Sequence, residues 1–307
     1  MNNIKISVVI PVKNGERYLD SSLKAVFSQN INAEFEVIVI DSGSKDRSLD
    51  IMNRYPVSIY QIEEKDFNHA LTRNLGISKA QGKYVVLMTQ DAIPRNKRWM
   101  RELIDNLERD GQIAGVYSRQ LPCKDSSSLA RIRVNRFFSS QRKRRESQVN
   151  NIEDFKNLSP REKHTLCNFD NVSSCIRKSV WEAFPFSETE FGEDIEWAKR
   201  VLEAGYKIAY EPDSMVYHSH DFSILGWYKR NRINYSKLRT LFGINGIDNI
   251  YKLLIYFPAY SIRDFYHLCK HGARLKAILL NILIVPFYSF AEILGQYKGI
   301  RDSDASG

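Results

Sequence analysis

Short runs of consecutive apolar residues alternate with stretches in which apolar residues return every three or four positions. Residues 4–12 form a β-branched run that breaks at Pro11-Val12-Lys13-Asn14-Gly15, the pattern of a strand entering a turn. Leu19, Leu23, Val26 and Phe27 then recur at helical spacing. Further strands are predicted at 35–40, 57–62, 84–89 and 113–117. Helices are predicted at 69–80 and 99–107, with Asp46 placed to cap another. Strands that read as unbroken apolar runs, separated by helices, predict an α/β fold with a mostly parallel sheet covered on both faces. Ligands of such sheets bind beyond the carboxyl ends of the strands. Asn14, Asp41 and Asp91 each fall just after a predicted strand and so belong on one rim.

The rhythm breaks at 119–165, which is basic, polar and serine-rich and reads as an irregular surface excursion. It resumes with a strand at 171–176, a helix near 179–183, a second helix at 194–204 closed by Gly205, and short strands at 207–210 and 215–220. Beyond 225 the chain is aromatic, basic and helical. The predicted organisation is a catalytic-type domain over 1–224 and a helical extension over 225–307.

Composition narrows the class. The 307 residues are 43% apolar, 26% charged and 12% aromatic, which excludes a disordered chain, a collagen-like repeat and a disulfide-stapled miniprotein. Cys123, Cys167, Cys175 and Cys269 make no C-x-x-C pair, so reduced thiols and no zinc cluster are expected. The first residues lack the charged and apolar regions of a signal peptide, so a cytoplasmic location is expected. The net charge is +9, and the basic excess sits in two blocks: residues 119–145 carry 9 basic and 1 acidic side chains, and residues 225–301 carry 12 and 3, the rest of the chain being net acidic. Such blocks attract nucleic acid or anionic membrane, or simply solubilise a surface.

Several residues could carry chemistry, each beside an ordinary explanation. Asp41 suits a turn cap, or an acceptor for the N3–H of uracil or thymine. Asp91 suits a turn, or a divalent cation bridging a diphosphate. Glu193-Asp194 opens a helix, where acidic residues are favoured electrostatically. Alternatively one of the two is a general base against an apolar wall containing Trp197. His218 and His220, two apart, share one face of an extended segment and could supply a neutral imidazole ligand beside Asp91. Arg73 and Asn74 lie early on a helix, where Arg73 makes a salt bridge or meets a diphosphate or base.

In this order the segments resemble family 2 glycosyltransferases of the GT-A fold. The likeness rests on Ser7-Val8-Val9-Ile10-Pro11-Val12-Lys13-Asn14, on Val37 to Asp46, on Gly82 to Ala92, and on Phe191-Gly192-Glu193-Asp194 with Ala204-Gly205-Tyr206. A narrower likeness to bacterial rhamnosyltransferases rests on Phe67 to Gly76, Thr89-Gln90-Asp91-Ala92-Ile93-Pro94, Asn171 to Arg177, and Val216-Tyr217-His218-Ser219-His220. The resemblance implies a donor site of Pro11, Val12, Asn14, Asp41, Arg73, Gln90 and Asp91. It implies Asp194 as catalytic base, and Asp91 with His218, and His220 as a further neighbour, as ligands of Mg²⁺ or Mn²⁺. Thr89 stands where the family's D-x-D motif has its first Asp, and Ser42 replaces a second Asp after strand two. The implied reaction is inverting, metal-dependent transfer of a sugar from a dTDP- or UDP-linked donor. Rhamnose from dTDP-rhamnose is the expected donor, and a glycan or lipid-linked acceptor of bacterial surface polysaccharide the expected acceptor. The competing readings are another nucleotide sugar on the same fold, or a noncatalytic protein binding membrane or nucleic acid through the basic blocks. An acidic rim repels nucleic acid, so no nucleic-acid partner is expected.

Residues 277–294 carry one charge, Glu292, and are interrupted by Asn281, Pro286 and Ser289. With basic flanks and the aromatic set Tyr251, Tyr256, Phe257 and Tyr260, this predicts helices lying in an anionic membrane interface on the cytoplasmic side rather than spanning it. The alternative is a helical appendage packed on protein.

Overall fold

A computed structural model describes residues 5–270 and 275–306, with side chains of the last helix described from Asn281 on. Ile4, the predicted start of the first strand, lies outside the described residues. The strands are β1 (Ile6–Val12), β2 (Phe35–Asp41), β3 (Ser58–Gln61), β4 (Tyr84–Met88), β5 (Ile93–Pro94), β6 (Ile113–Leu121), β7 (Arg145–Gln148), β8 (Ser173–Arg177) and β9 (Lys207–Tyr217). The helices are α1 (Leu19–Phe27), α2 (Ser48–Met52), α3 (His69–Lys79), α4 (Trp99–Arg109), α5 (Ser128–Arg136), α6 (Ile152–Asn157), α7 (Pro160–Leu166), α8 (Lys178–Ala183), α9 (Glu193–Glu203), α10 (Ile224–Phe242), α11 (Ile250–Lys270) and α12 (Leu275–Ser306).

The strands form one sheet in the order β3-β2-β1-β4-β8-β6-β9-β5, with β7 also paired to β9. β1 runs parallel to β2 and β4, and β2 to β3. β8 is antiparallel to both β4 and β6, and β6 is parallel to β9. The carboxyl ends of β1, β2, β4, β6 and β9 and the amino end of β8 therefore share one rim. The apolar runs of β1, β2 and β4 are buried, as their lack of alternation requires. Trp99 of α4 and Trp197 of α9 are fully buried, each with its indole N–H satisfied, on Ser173 Oγ at 2.9 Å and on the Phe184 carbonyl at 2.9 Å.

Two expectations need correction. Residues 119–165 are not irregular: they finish β6 and supply α5, β7, α6 and most of α7. The segments 207–210 and 215–220 are not separate strands. β9 runs continuously from 207 to 217, and its register against β6 slips between Ser118 and Arg119, an irregularity that absorbs the polar residues between the two apolar runs. β5 is too short for any periodicity to betray.

The chain divides into two compact units, of residues 1–121, 138–157 and 166–218, and of residues 122–137, 158–165 and 219–307. The second thus includes two segments upstream of 225. Its interior has two apolar clusters. Leu129, Ile132, Leu268 and Val285 form one, and Ile247, Leu253 and Ile293 the other. The Arg133 guanidinium lies 4.2 Å from the Trp227 ring centroid and 4.5 Å from that of Tyr288. α12 approaches α10 closely through Gly295 and Gly299: a Cβ on Gly295 would lie 2.6 Å from the Tyr228 carbonyl oxygen, and one on Gly299 would run into that of Arg232. Away from these contacts many outward residues of α11, and of α12 between Ile282 and Phe290, are apolar. Tyr251, Leu254, Ile255, Ile262 and Tyr266 are exposed on α11, and Leu283, Phe287 and Phe290 on α12, with Tyr251 and Leu283 each 75% exposed. No helix among the described residues is long and apolar enough to cross a membrane.

A side chain at position 299 must push the two helices apart. Gly299→Val is expected to lower the unfolding free energy by about 1–3 kcal/mol, measured by urea denaturation. The same substitution at Gly111, where a Cβ meets nothing within 4 Å, is the control.

Candidate active site

The parallel register pairs Val12 with Asp41 at the ends of β1 and β2. Asp41 is buried; its Oδ2 accepts from the Ser44 amide at 3.3 Å and its Oδ1 has no hydrogen-bond partner. Asn14 adopts φ 48°, and this left-handed turn closes onto the loop after β2. The Asn14 amide donates to Ser44 Oγ at 2.9 Å, and its Oδ1 accepts from the Lys45 amide at 2.8 Å. The Gln90 side chain grips the Lys13 main chain, accepting from its N–H at 2.8 Å and donating to its carbonyl at 3.0 Å. Pro11 and Val12 complete this corner, partly and fully buried. Asn14, Asp41 and Gln90 are thus joined around one turn, with Asp91 next in the chain.

Asp91 faces β9. Its Oδ2 lies 3.7 Å from Nε2 of His218, a residue whose amide bonds the Leu121 carbonyl at the end of β6. That separation is too long for a hydrogen bond and suits two groups converging on one cation. Asp91 and His218 each offer a ligand atom, and His220 follows two residues on in the chain. His218 is buried and His220 exposed. One carboxylate with imidazole nitrogens is a donor set for a divalent ion of the Mn²⁺ kind, and Mg²⁺ fits where substrate oxygens fill the rest.

Asp194 opens α9 after Gly192, which adopts φ 77°, a conformation glycine takes without cost. Its Oδ2 accepts from the Asn171 amide at 3.2 Å and its Oδ1 from the Ile195 amide at 2.8 Å. Burial pushes its pKa well above the ordinary carboxylate range; the charges of Glu193 and Asp170 add to this, and the two amide bonds oppose it. Trp197, the expected apolar wall, packs among Phe169, Phe186 and Gly115. The adjacent Glu193 is different in kind. It is buried and accepts from Arg73 Nη1 at 2.9 Å, and that nitrogen also donates to the His69 carbonyl at 3.2 Å. Arg73 thus neutralises one member of the acidic pair. Asn74 braces the loop before α9 through the Phe186 main chain and the Trp181 indole.

These groups are linked along the rim. The Thr89 amide bonds the Val172 carbonyl, and the next residue back, Asn171, holds Asp194. Buried polar atoms without partners gather here too: Asp41 Oδ1, Thr89 Oγ1 and Asn171 Nδ2. Sequence reasoning passed over Glu193 as the partner of Arg73, and also Gln120 and Asp170. Gln120 was hidden because Ser118-Arg119-Gln120 looks like the end of a strand, although Ser118 and Gln120 are both buried, with the period of two of a continuing strand.

A mainly parallel, curled sheet with a carboxylate-lined rim and C-terminal helices is the GT-A fold of glycosyltransferases. Mannosyltransferase PcManGT from Pyrobaculum calidifontis, solved with GDP-Man and Mn²⁺, superposes with a TM-score of 0.60 at 15% identity, over 98% of this chain and 87% of that one. S. aureus TarS residues 1–349, solved with UDP-GlcNAc, gives 0.55 at 14% identity, over 99% and 92%. The sequence model of Glycosyl transferase family 2 matches residues 7–165. The chain is 34% identical to the O-antigen chain rhamnosyltransferase RfbN of Salmonella typhimurium, over 72% of this chain and 68% of that one. It is 33% identical to the O-antigen chain rhamnosyltransferase WbaN of Salmonella anatum, over 71% and 67%. The chain belongs to glycosyl transferase family 2 and is a glycosyltransferase.

Breaking the Arg73–Glu193 pair strands a buried charge. Arg73→Met is expected to destabilise the protein by about 3–5 kcal/mol in chemical denaturation, and adding Glu193→Met to recover most of that loss.

Proposed function

We propose that this glycosyltransferase is an inverting, divalent-metal-dependent enzyme that transfers rhamnose from dTDP-rhamnose to a glycan or lipid-linked acceptor of bacterial surface polysaccharide. The observation that carries this reading is the pairing, along one sheet rim, of the Asp91–His218 cluster with a carboxylate at Asp194 whose proton affinity is raised. The kinship with O-antigen rhamnosyltransferases supports rhamnose over other sugars.

In this reading the nucleobase lies against Pro11 and Val12, and the unpartnered Oδ1 of Asp41 accepts the ring N3–H of thymine or uracil. Asn14 and Gln90 hold the turn that shapes this pocket, and Arg73 acts on the donor side by holding α3 to α9 through Glu193. Asp91 and His218, with His220, would hold the metal, which when bound offsets the charge growing on the departing diphosphate. Asp194 takes the proton of the acceptor hydroxyl as its oxygen bonds the anomeric carbon and the bond from that carbon to the diphosphate oxygen breaks. A single displacement inverts the configuration. A raised pKa makes Asp194 a stronger base than an ordinary carboxylate, and the base must be unprotonated to act.

A panel of nucleotide sugars incubated with Mn²⁺ tests the reading through nucleoside diphosphate release. dTDP-rhamnose is expected to be turned over fastest, and no release from any donor would overturn it. Asp194→Asn is expected to lower turnover by about 10²–10⁴-fold while nucleotide binding persists. In the unaltered enzyme kcat/KM should fall on acidification along a limb lying well above about pH 4, the usual range of a carboxylate.

The same reading places the enzyme peripherally on an anionic membrane. The exposed apolar residues of α11 and α12 suit the acyl–headgroup boundary, and the +9 charge of residues 225–301 complements anionic lipid. Flotation with vesicles containing phosphatidylglycerol should retain the protein at low salt. Leu254→Glu with Leu283→Glu should release it, and a chain that stays unbound at low salt would overturn this placement.

A further inference from the structure

His218 has two ring nitrogens, and only one faces Asp91. The other, Nδ1, lies 2.8 Å from Gln120 Oε1. The Gln120 amide is itself oriented from behind: its Nε2 donates to Asp170 Oδ2 and, at 3.0 Å, to Ser139 Oγ. Ser139 Oγ also donates to Asp170 Oδ2 at 3.2 Å. A carboxylate oxygen only accepts, so the side of the Gln120 amide turned to Asp170 is its NH₂ group and the side turned to His218 is its carbonyl. A carbonyl only accepts as well, so the proton of a neutral His218 sits on Nδ1. The lone pair then lies on Nε2, on the Asp91 side. All four residues are buried, with Ser139 fully so, and water does not scramble the arrangement.

We infer that Asp170 and Gln120 are positioning residues which, through this chain of hydrogen bonds, fix the tautomer of His218 and present Nε2 as a ligand atom beside Asp91. The inference rests on the metal reading for its purpose and on the hydrogen-bond chain alone for the tautomer. Neither residue touches the metal or the substrate. Imidazole ligands depend on such outer partners for ring orientation and basicity, and removing them costs about 10–100-fold in metal affinity. The chain also ends beside the base. The Val172 amide donates to Asp170 Oδ1 at 3.0 Å, and the preceding amide, of Asn171, holds Asp194. One tripeptide, Asp170-Asn171-Val172, therefore holds the carboxylate that orients the metal-ligand side and the carboxylate proposed to act on the acceptor.

The decisive experiment needs no activity. Long-range ¹H–¹⁵N correlation spectra of histidine-labelled, metal-free protein read the tautomer of each imidazole, with His218 assigned by its loss in His218→Asn. The neutral form of His218 is expected to carry its proton on Nδ1. A proton on Nε2 in the unaltered protein would overturn the inference. Gln120→Leu should redistribute the proton between the two nitrogens and weaken binding of Mn²⁺ alone by about 10–100-fold, read by electron paramagnetic resonance. Unchanged spectra and unchanged Mn²⁺ affinity in that variant would equally overturn it.

A merely structural role is separated by charge reversal along the chain. Asp170→Asn removes the obligate acceptor behind Gln120, lets that amide turn over, and should lose the strict preference for the Nδ1–H form. Adding Gln120→Glu restores an obligate acceptor facing His218 that also accepts from the amide at position 170, so the double variant should recover both the tautomer and Mn²⁺ binding. Failure of the double variant to recover either, while its circular dichroism matches the unaltered protein, would refute the relay. If the unaltered protein shows the Nδ1–H tautomer but binds no Mn²⁺, the metal reading fails and with it the ligand role of Nε2. The tautomer assignment then stands on its own.

Discussion

Val12 lies opposite Asp41 because β1 and β2 are parallel, and that single register decides where the polar chemistry of this chain can go. A strand covered on both faces cannot carry a charged group along its length without a large desolvation cost, so its first tolerable polar position is where it leaves the sheet. Parallel pairing makes those exits coincide. Asp41, the turn at Asn14, and Gln90 with Asp91 are the exits of β2, β1 and β4. β8 enters at the same rim because it is antiparallel, and this brings Asn171, and through its amide Asp194, from the far side in sequence.

The same logic explains why a fold of this kind tolerates partly satisfied polar atoms there. Asp41 Oδ1, Thr89 Oγ1 and Asn171 Nδ2 would be liabilities in a core, where an unpaired buried group costs about 1–3 kcal/mol. At the rim proposed to meet a nucleotide sugar they would serve as acceptors and donors for that ligand. Thr89 also bears on the altered D-x-D motif. In the proposed metal site a hydroxyl in place of the first carboxylate would leave one acidic ligand, Asp91, and the imidazole of His218 stands close enough to share its load.

What the sequence disclosed follows the strength of each periodic signal. β1, β2 and β4 were legible because unbroken apolar runs such as Val37-Ile38-Val39-Ile40 allow few other structures, and their exits named Asn14, Asp41 and Asp91 directly. α9 and its Glu193-Asp194 opening were legible from helical spacing and Gly205. β7 was not, because Arg145-Glu146-Ser147-Gln148 has no apolar residue and is held in the sheet by pairing with β9 alone. The second unit blurred for a related reason: its membership depends on tertiary contacts that draw α5 to α11 and α12, which no local pattern announces. Gln120 and Asp170 escaped because their importance lies in whom they bond, and a glutamine fifty residues from an aspartate carries no sequence sign of that partnership.

Glu193 and Asp194 show how far chemistry depends on such partners. The two are adjacent, both acidic and both in the first turn of one helix, where the dipole favours them equally. A helix turns about 100° per residue, so they face different neighbours. Glu193 meets Arg73 and becomes half of a buried ion pair, committed to structure. Asp194 is buried beside the charges of Glu193 and Asp170, and its affinity for a proton rises although two backbone amides oppose the change. The charge of Glu193 is one of the causes that raise the proton affinity of Asp194, so the residue that steadies α9 also tunes its neighbour. Arg73 therefore serves the site through structure, by holding α3 to α9.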